Sequence, residues 1–512
     1  MSILTWRALL AVGASLVPFV SFAQAPTTFN DTLGVTHEAV TNAPAPIFRN
    51  PPPGSDLRSW VIHWNEIAIN ASGVDHTPVA PGENRVFGEQ VGPGRSARAI
   101  AIVQIAVFDA LIAVNGGYRS YTGLPRVSGQ VSTKAAVAYA AHDTLVALFP
   151  SQKSSFDREL QDSLRRLRDS AVAIFNGVRL GKRAADAILD QRANDGSHHA
   201  EPILGVDHNT SDDPGHWRQD PISLNRVALG AHWGEVRPFV LASPSQFRTP
   251  PPPAMTSDEY TEAFNEVKRL GGDGVNTPTE RSENQTFIGV FWAYDGTPSL
   301  CAPPRLYNQI TVTIAKKQGT GAIGLARLLA LTNIAMADAG IGIWESKYFW
   351  DFWRPVGGMR EADVNTGPTG AGDGNPNTLG DPNFMPLGAP GSNLNGPNFT
   401  PPFPAYPSGH AGFGGALFQT LRRFYGTDAI PFTFVSDELN GVTKDNHGDI
   451  RPLRPRSFAN LSQAEEENGQ SRIYLGIHWA FDKTVGIAQS RAVADYVFDH
   501  AFQPVRRPRA GR

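Results

Sequence analysis

The sequence predicts an all-α protein built as two helical bundles. Apolar residues recur at intervals of three and four over long stretches, as at Trp60, Trp64, Ile67 and Ala68, and this spacing puts them on one helix face. Few windows alternate with a period of two, which is the pattern of a half-buried strand. A proline-rich connector at 243–255 separates two long regions of helical spacing. We therefore expect helices packed on helices on either side of this connector.

The first bundle is predicted to occupy residues 26–242. Its helices are expected from their apolar spacing at 57–72, 96–115, 132–149, 153–170 and 171–194. Gly116 and Gly117 follow the second of these segments and favour the end of that helix, because glycine is a common residue just past a helix terminus.

The second bundle is predicted to occupy residues 256–502. Its helices are expected at 256–271, 281–294, 304–318, 322–353, 408–425, 462–480 and 483–502. Between them, residues 360–407 hold many Gly, Pro and Asn and almost no periodicity, and so long an irregular stretch inside a compact domain tends to be functional. Two interpretations remain open for it: a wall of the active-site entrance, or a passive surface loop.

Composition limits the classes of function. The chain has 512 residues, 41% hydrophobic and 18% charged, with a formal net charge of −3. Such a chain is globular and long enough for two cores or one large core. The charge offers no basic field for nucleic acid and no polybasic patch for a membrane. Any positive potential must therefore be local.

The N-terminus has the layout of a secretory signal peptide over residues 1–25. An apolar run from Leu9 to Phe22 is followed by Ala23-Gln24-Ala25, an A-x-A cleavage pattern, and a secreted or periplasmic protein is expected. The alternative is an uncleaved N-terminal anchor. No later stretch is expected to reach the length of a transmembrane helix, so a soluble mature protein is expected, and 503–512 is a basic tail.

Cysteine usage excludes two kinds of construction. Cys301 is the only cysteine, so the fold must be held by packing without an internal disulfide framework. A single thiolate also excludes zinc or iron–sulfur sites built on several cysteines.

The first functional motif pairs two cations near the end of a predicted helix. Lys347 and Arg354 are seven residues apart, which is two helical turns, so both side chains should leave the same face. Pro355 then forces the chain out of the helix. One helix face is thus predicted to deliver two positive charges to one point, although such a face is commonly solvated surface.

The second motif is Ser408-Gly409-His410, which follows Pro407 and precedes an apolar helix. A helix N-terminus presents free N–H groups and the positive end of the dipole, and glycine permits close approach of an anion. The pattern predicts an anion cradle with a histidine beside it, but Pro407-Ser408-Gly409-His410 alone is also an ordinary turn before a helix.

The third motif runs from Ser471 to Asp482. Ser471 is interpreted as an N-cap or first-turn residue, with Arg472 projecting into the same region and His478 two turns further along. Asp482 lies four residues beyond His478, where its carboxylate could fix the imidazole tautomer and raise its basicity. His478 is then the candidate nucleophile or ligand, which leaves His410 for proton transfer.

Together the three motifs supply three cations, two histidines and a Ser-Gly turn. This set suits a tetrahedral or trigonal-bipyramidal oxyanion, so the chain should bind phosphate or a phosphate mimic. Each motif taken alone is more often structural, and it is their order and spacing that favour a site.

The motifs resemble the signature of the type 2 phosphatidic acid phosphatase superfamily, which joins acid phosphatases to vanadium-dependent haloperoxidases. Longer matches are similar to the vanadium chloroperoxidases within it. These matches are Phe291-Trp-Ala-Tyr-Asp295, Pro304-Arg-Leu-Tyr-Asn-Gln309, Pro401-Pro-Phe-Pro-Ala-Tyr-Pro-Ser-Gly-His410 and Ser471-Arg-Ile-Tyr-Leu-Gly-Ile-His478-Trp-Ala-Phe-Asp482. The resemblance covers most of the second half and, more loosely, the first.

The resemblance implies a bound vanadate and a role for each matched residue. His478 would coordinate vanadium at an axial position, with His410 near the opposite axial hydroxide. The residues implied to stabilise the equatorial oxygens are Lys347, Arg354, Arg472, Ser408 and the Gly409 N–H. Asp295 would pair with Arg472, and Trp344 and Phe403 fall at the aromatic rim of the halide site.

The implied reaction is oxidation of chloride or bromide by hydrogen peroxide to hypohalous acid. In it His410 would accept a proton and Lys347 would polarise the bound peroxide. Two alternatives remain open: an exported acid phosphatase acting through a phosphohistidine at His478, and a non-catalytic oxyanion-binding protein in which His410 is idle. Halide preference, any bound organic substrate and the oligomeric state are not predicted.

Overall fold

The protein is mostly helical, as expected. The computed structural model describes residues 50–390, 398–445 and 447–505. The predicted signal peptide at 1–25 lies outside these ranges, and so does most of the predicted basic tail.

Within the described residues, five helices precede the proline-rich connector. They are α1 Leu57–Asp75, α2 Pro93–Asn115, α3 Thr133–Leu148, α4 Lys153–Leu164 and α5 Ala171–Arg192. Polar N-caps begin three of them, because the side chains of Asp56, Ser132 and Ser170 each accept a hydrogen bond from an N–H in the first turn. Helix α4 ends at Leu164 rather than at 170.

Eight helices follow the connector in the part of the chain that the structure describes. They are α6 Asp258–Leu270, α7 Glu283–Phe291, α8 Pro303–Lys317, α9 Ala322–Trp350, α10 Pro355–Glu361, α11 Gly409–Tyr425, α12 Leu461–Tyr474 and α13 Ala480–His500. Two short strands, β1 Phe432–Phe434 and β2 Arg456–Phe458, pair antiparallel, with Phe432 opposite Phe458. Single 3₁₀ turns lie at Pro150–Gln152, Trp233–Glu235 and Asp437–Leu439.

Helix α9 is the centre of the fold. It packs against α2 of the first half and against α11 and α13 of the second. The largest hydrophobic cluster in the described residues accordingly holds side chains from both halves, among them Trp60, Ile102, Leu328 and Phe413. The division into two bundles at 243–255 stays a prediction, since the halves share this core.

The proline-rich connector is packed onto the end of α9. Arg248 Nε donates to Glu345 Oε1 over 2.7 Å, and the Thr249 carbonyl accepts from Trp350 Nε1 over 3.2 Å. The Pro250 carbonyl accepts from the Tyr406 hydroxyl over 2.7 Å. The connector is therefore tied both to α9 and to the segment that leads into α11.

Two helices, α2 and α9, have the length and hydropathy of membrane spans, so the expectation that no later stretch reaches that length is wrong. In each, the most apolar window is nevertheless buried by protein, 94% in α2 and 83% in α9. A helix that is apolar on all sides can be the core helix of a large domain, and that is how both are used here.

Two helix ends differ from the prediction in ways that matter for the site. Helix α9 stops at Trp350 instead of 353, because Asp351 adopts a left-handed conformation with φ of 49°. Helix α12 stops at Tyr474 instead of 480, and Gly476, with φ of 71°, reverses the chain. A Cβ at Gly476 would lie 2.4 Å from the Gly271 carbonyl oxygen, so only glycine fits.

Candidate active site

A cavity of about 580 Å³, including its opening, lies at the N-terminus of α11. One side is polar and the other is apolar. The polar lining includes His76, Asp295, Gly409, His410, Arg472 and His478. The apolar lining includes Pro93, Leu229, Trp344, Phe399, Pro401, Phe403 and Phe413. The end of the irregular segment 360–407 thus forms part of the cavity wall.

Lys347 and Arg354 converge, but not along one helix face as the sequence predicted. Lys347 is in the last turn of α9, whereas Arg354 lies past the left-handed turn and is the N-cap residue of α10. Both cations lie near the Phe403 ring, with Lys347 Nζ at 5.1 Å and Arg354 Cζ at 4.9 Å from its centroid. Although Asp351 ends helix α9, the side chain of Arg354 lies near the same Phe403 ring as that of Lys347.

Lys347 is fully buried. Its Nζ donates to the carbonyls of Pro404 over 2.7 Å and of Ala405 over 2.8 Å. Burial holds the pKa of Lys347 well below its ordinary value, and the nearby Arg354 lowers it further. A negative charge in the cavity would reverse this effect and favour the ammonium form.

Arg354 joins the segment before α11 to the turn after α12. Its Nε donates to the Phe403 carbonyl and its Nη1 to the Ile477 carbonyl, each over 2.9 Å. Nη1 also lies 2.9 Å from His478 Nε2. Its Nη2 is buried without a hydrogen-bond partner, and burial lowers the pKa of the guanidinium to about 9.

Arg472 makes the contact with Asp295 that the resemblance implies. Its Nη2 donates to Asp295 Oδ1 over 2.6 Å, while its Nε and Nη1 are buried with no partner. Burial raises the pKa of Asp295, and the neighbouring Arg472 opposes that rise. The ion pair therefore orients Arg472 and leaves two of its nitrogens free to donate.

His478 lies in the turn between α12 and α13 and not on a continuous helix with Arg472 and Asp482. Its Nδ1 is 2.7 Å from Asp482 Oδ2, and the same oxygen accepts the Trp479 N–H over 3.0 Å. Asp482 is in the first turn of α13, so the predicted contact forms across a helix N-terminus. The carboxylate accepts from Nδ1–H, which leaves the lone pair on Nε2.

The environment of His478 suits an anion. Burial lowers the pKa of His478 well below its usual value, and Arg354 lowers it further. Burial raises the pKa of Asp482 to about 7.

Ser471 is not an N-cap, because it lies in the last turns of α12, where its hydroxyl donates to the Asn468 carbonyl over 2.6 Å.

The Ser408-Gly409-His410 motif begins α11, as its pattern predicted. Ser408 is the N-cap, and its Oγ accepts from the Ala411 N–H over 3.4 Å. The Ser408 N–H donates to the Asp482 carbonyl over 3.0 Å, which ties the two helix N-termini together. The Gly409 and His410 residues of the first turn line the cavity directly.

His410 is held as a neutral imidazole. Its Nε2 is hydrogen-bonded to the Ala293 carbonyl, which can only accept, so the hydrogen is on Nε2 and the lone pair is on Nδ1. Burial keeps the pKa of His410 well below its usual value, and the Arg472 charge depresses it further. The Nδ1 atom is thus a base that an incoming anion would strengthen.

The site as a whole has more positive than negative groups. Three buried guanidinium nitrogens have no partner: Nη2 of Arg354 and both Nε and Nη1 of Arg472. Unsatisfied buried donors cost about 1–3 kcal/mol each, and more when they are charged. A tetrahedral or trigonal-bipyramidal oxyanion would satisfy them, so the donor set fits vanadate as well as phosphate.

The predicted aromatic pair, Trp344 and Phe403, is on the apolar side of the cavity. Their ring centroids are 4.9 Å apart, and each ring lies within 6 Å of Lys347 Nζ. The Trp344 Nε1 donates to the Leu229 carbonyl over 3.0 Å, so this donor points away from the oxyanion groups.

Sequence reasoning missed the contribution of the first half. Leu229 and Pro93 line the cavity although they are far along the chain from every motif. It also missed Tyr307 and Asn468, whose side chains both donate to the His410 carbonyl over 2.9 Å. The sequence signal for Tyr307 was its position within the matched segment Pro304-Arg-Leu-Tyr-Asn-Gln309.

These features define an oxyanion-binding enzyme site at the N-termini of packed helices. The family model described as VCPO second helical-bundle domain matches residues 327–507. The vanadium chloroperoxidase of Curvularia inaequalis is 31% identical over 524 residues, which cover 86% of this chain and 81% of that protein. The chain belongs to the vanadium haloperoxidase family and is a vanadium-dependent haloperoxidase enzyme.

Solved structures share the fold. A bacterial vanadium-dependent iodoperoxidase superposes with a TM-score of 0.66 at 23% identity, covering 88% of this chain and 98% of that one. An apo bacterial vanadium-dependent chloroperoxidase gives a TM-score of 0.60 at 15% identity, covering 80% of this chain and 94% of that one. At these identities the likeness concerns the fold alone.

Proposed function

We propose that this enzyme oxidises chloride or bromide with hydrogen peroxide to hypohalous acid, using vanadate bound in the cavity. The observation that carries the proposal is the set of three unpartnered guanidinium nitrogens beside the Nε2 lone pair of His478. The set requires an anion, and an imidazole nitrogen with its tautomer fixed by a carboxylate is a good metal ligand. The relative named a chloroperoxidase supports the halide class.

The residues proposed to hold vanadate are those of the three motifs. His478 Nε2 would be the ligand, and the donors to the oxygens would be Lys347, Arg354, Arg472, Ser408 and the Gly409 N–H. Bound vanadate supplies Lewis acidity, which activates hydrogen peroxide toward a halide without a change in the oxidation state of the metal. Asp482 holds the ligand nitrogen in position, and Asp295 orients Arg472.

His410 is the proposed acceptor of the peroxide proton. Its Nε2–H is committed to the Ala293 carbonyl, so the proton arrives at Nδ1. In the free protein burial depresses the pKa of His410, and the three cations around it depress it further. The anion in the cavity weakens that effect, and the pKa of His410 moves toward the range in which a base is effective.

The apolar side of the cavity is the proposed halide side. A halide ion must lose water to enter, and Trp344 and Phe403 offer polarisable ring edges next to the Lys347 ammonium. Halides differ in hydration, so the shape of this wall bears on the choice among them. Iodide joins chloride and bromide in the test because one structural relative is an iodoperoxidase.

The test is halogenation of a reporter diketone by purified vanadate-free protein, with and without orthovanadate, in chloride, bromide and iodide at mildly acidic pH. Hydrolysis of a phosphomonoester is measured in parallel. We expect halogenation that depends on vanadate and is suppressed by phosphate. Phosphate-ester turnover inhibited by vanadate, with no halogenation, would instead make the protein an acid phosphatase.

A control separates catalysis from mere oxyanion binding. The His410→Ala variant keeps every proposed donor to vanadate, so it should bind orthovanadate and lose most peroxide-dependent halogenation. Unchanged activity in this variant would mean that His410 is idle.

We also propose that the enzyme is exported, from the signal-peptide pattern at 1–25. N-terminal sequencing of the protein from its native host tests this. A mature chain starting after Ala25 is expected, and a chain that retains Met1 to Ala25 contradicts it.

A further inference from the structure

A turn of the first half, Leu229–Gly230, holds the indole of Trp344. The Leu229 carbonyl accepts from Trp344 Nε1 over 3.0 Å. It also accepts from the Tyr348 hydroxyl over 3.0 Å, one helical turn further along α9. Both donors of this helix end therefore depend on a single carbonyl that belongs to the other half of the chain.

Two glycines enclose the indole. A Cβ on Gly230 would lie 2.5 Å from both Cδ1 and Nε1 of Trp344, closer than atoms can approach. A Cβ on Gly409 would lie 3.4 Å from Cη2 at the opposite end of the ring. The indole thus extends from the turn of the first half to the oxyanion cradle, with no room for a side chain at Gly230.

The turn is itself fixed on two sides. The Leu229 N–H donates to the Pro402 carbonyl over 2.9 Å, directly before Phe403. The Gly230 N–H donates to the carboxylate of Glu201, which also pairs with the buried Arg95. Movement of this turn would therefore displace both rings of the proposed halide side.

We propose that the Leu229–Gly230 turn determines halide preference by setting the orientation of Trp344. This rests on the proposed function, because it assumes that a halide enters beside this ring. Gly230 and Glu201 are positioning residues here, since neither is placed among the oxyanion donors. Leu229 acts more directly, because its side chain lines the cavity.

The physical reason is the direction of one N–H group. With Nε1–H committed to Leu229, the ring presents C–H edges and its face to the cavity. A strongly hydrated halide loses more hydration free energy than a weakly hydrated one when it exchanges water for such a surface. A rotated indole would present a different edge or free the N–H, and this would change the relative cost for chloride and bromide.

The test compares Gly230→Ala with Gly205→Ala. The two glycines have similar left-handed φ angles, 76° and 74°, but a Cβ on Gly205 would meet nothing within 4 Å. The control therefore carries the same backbone strain without the clash. For both variants and the wild type, kcat and KM are measured for chloride and bromide at saturating peroxide, and the orthovanadate Kd is measured by calorimetric titration.

We expect Gly230→Ala to change the chloride-to-bromide ratio of kcat/KM by about threefold or more, mainly through KM for the halide. Its orthovanadate Kd should stay within about twofold of that of Gly205→Ala. In a Trp344→Phe background, the further effect of Gly230→Ala on the ratio should largely disappear, because the two changes act through one ring.

Three results would overturn the inference: a ratio equal to that of Gly205→Ala, an effect that persists fully in the Trp344→Phe background, or a parallel loss of orthovanadate affinity. Wild-type protein that binds orthovanadate but oxidises no halide would instead overturn the proposed function. If Gly230→Ala does not fold, Glu201→Gln, which weakens the anchor of the Gly230 N–H, should also change the ratio relative to the wild type, and an unchanged ratio would count against the turn.

Discussion

Arg354 Nη1 lies 2.9 Å from His478 Nε2, so a cation faces the nitrogen of His478 that we propose as the vanadium ligand. The same Nη1 also donates to the Ile477 carbonyl. The guanidinium therefore holds the turn that carries His478 and occupies the approach to its lone pair. An oxyanion at this point would bind to both groups and replace the contact between them.

The Asp482 carboxylate is expected to act through both its hydrogen bonds and its charge, and two substitutions separate these effects. Both hydrogen bonds go to Oδ2, while Oδ1 has no partner. Asp482→Asn can place its amide oxygen at the Oδ2 position and lose only the charge. We expect orthovanadate Kd to rise about tenfold in Asp482→Asn and about 100-fold in Asp482→Ala, measured by calorimetric titration. Equal losses in the two variants would show that the hydrogen bonds are unimportant, and an unchanged Kd in Asp482→Asn would show that the charge is.

Arg472 should be irreplaceable by lysine. Its Nη2 donates to Asp295, and its Nε and Nη1 remain to donate to the oxyanion. A lysine ammonium lacks the planar fork of donors, so it cannot bond to Asp295 and to the oxyanion in this geometry. We expect Arg472→Lys to weaken orthovanadate binding by about 2–4 kcal/mol, the loss of one or two charge-assisted hydrogen bonds. Lys483→Arg, at a position whose ammonium pairs with Glu466 and donates to Gln470 of α12 and does not line the cavity, is the control and should leave the Kd unchanged.

Binding of orthovanadate should draw protons into the protein. The pKa of His410 is depressed in the free protein mainly by burial, and so is that of Lys347. An anion raises both, so affinity should increase as pH falls toward the ordinary histidine value of 6.5. Calorimetry in two buffers of different ionisation enthalpy measures the uptake. His410→Asn should take up fewer protons than the wild type, and an unchanged number would exclude His410 as the acceptor.

Gly476 should be essential for the position of His478. It has φ of 71°, and a Cβ there would meet the Gly271 carbonyl oxygen at 2.4 Å. Gly476→Ala is expected to lower the free energy of unfolding by about 3 kcal/mol or more and to weaken orthovanadate binding. Gly426 has the same φ with nothing near its Cβ position, so Gly426→Ala should cost only about 1 kcal/mol and leave binding intact. Chemical denaturation compares the two.

The sequence was sufficient for the fold class. Of the residues that it singled out, His410, Arg472 and His478 line one cavity, whereas Lys347, Arg354 and Ser408 are not among its lining residues. Helical spacing is a local signal, and the polar motifs lie within short segments, so both can be read along the chain. The routes by which the residues meet were less predictable. Asp351, in a left-handed conformation, ends α9 before Arg354. The apolar pattern continues past Asp351 and therefore predicted a longer helix.

The turn after Tyr474 was missed for a related reason. Residues 475–479 are as apolar as a helix interior, and the only local sign of a break is Gly476, whose effect depends on a distant carbonyl at Gly271. The lining residues Pro93 and Leu229 carry no local signal at all. Their role follows from tertiary packing, which a single sequence does not contain.

The Leu229 carbonyl, which accepts from two side chains of α9, limits how the chain can be divided into fragments. A fragment beginning at residue 256 would retain every proposed oxyanion donor, from Lys347 to His478. It would lack the acceptor for Trp344 Nε1 and for the Tyr348 hydroxyl. Modular engineering at the proline-rich connector would therefore transplant the anion cradle and the rings of Trp344 and Phe403 without the carbonyl that orients Trp344, and grafts that aim to change the halogen should carry the first half with them.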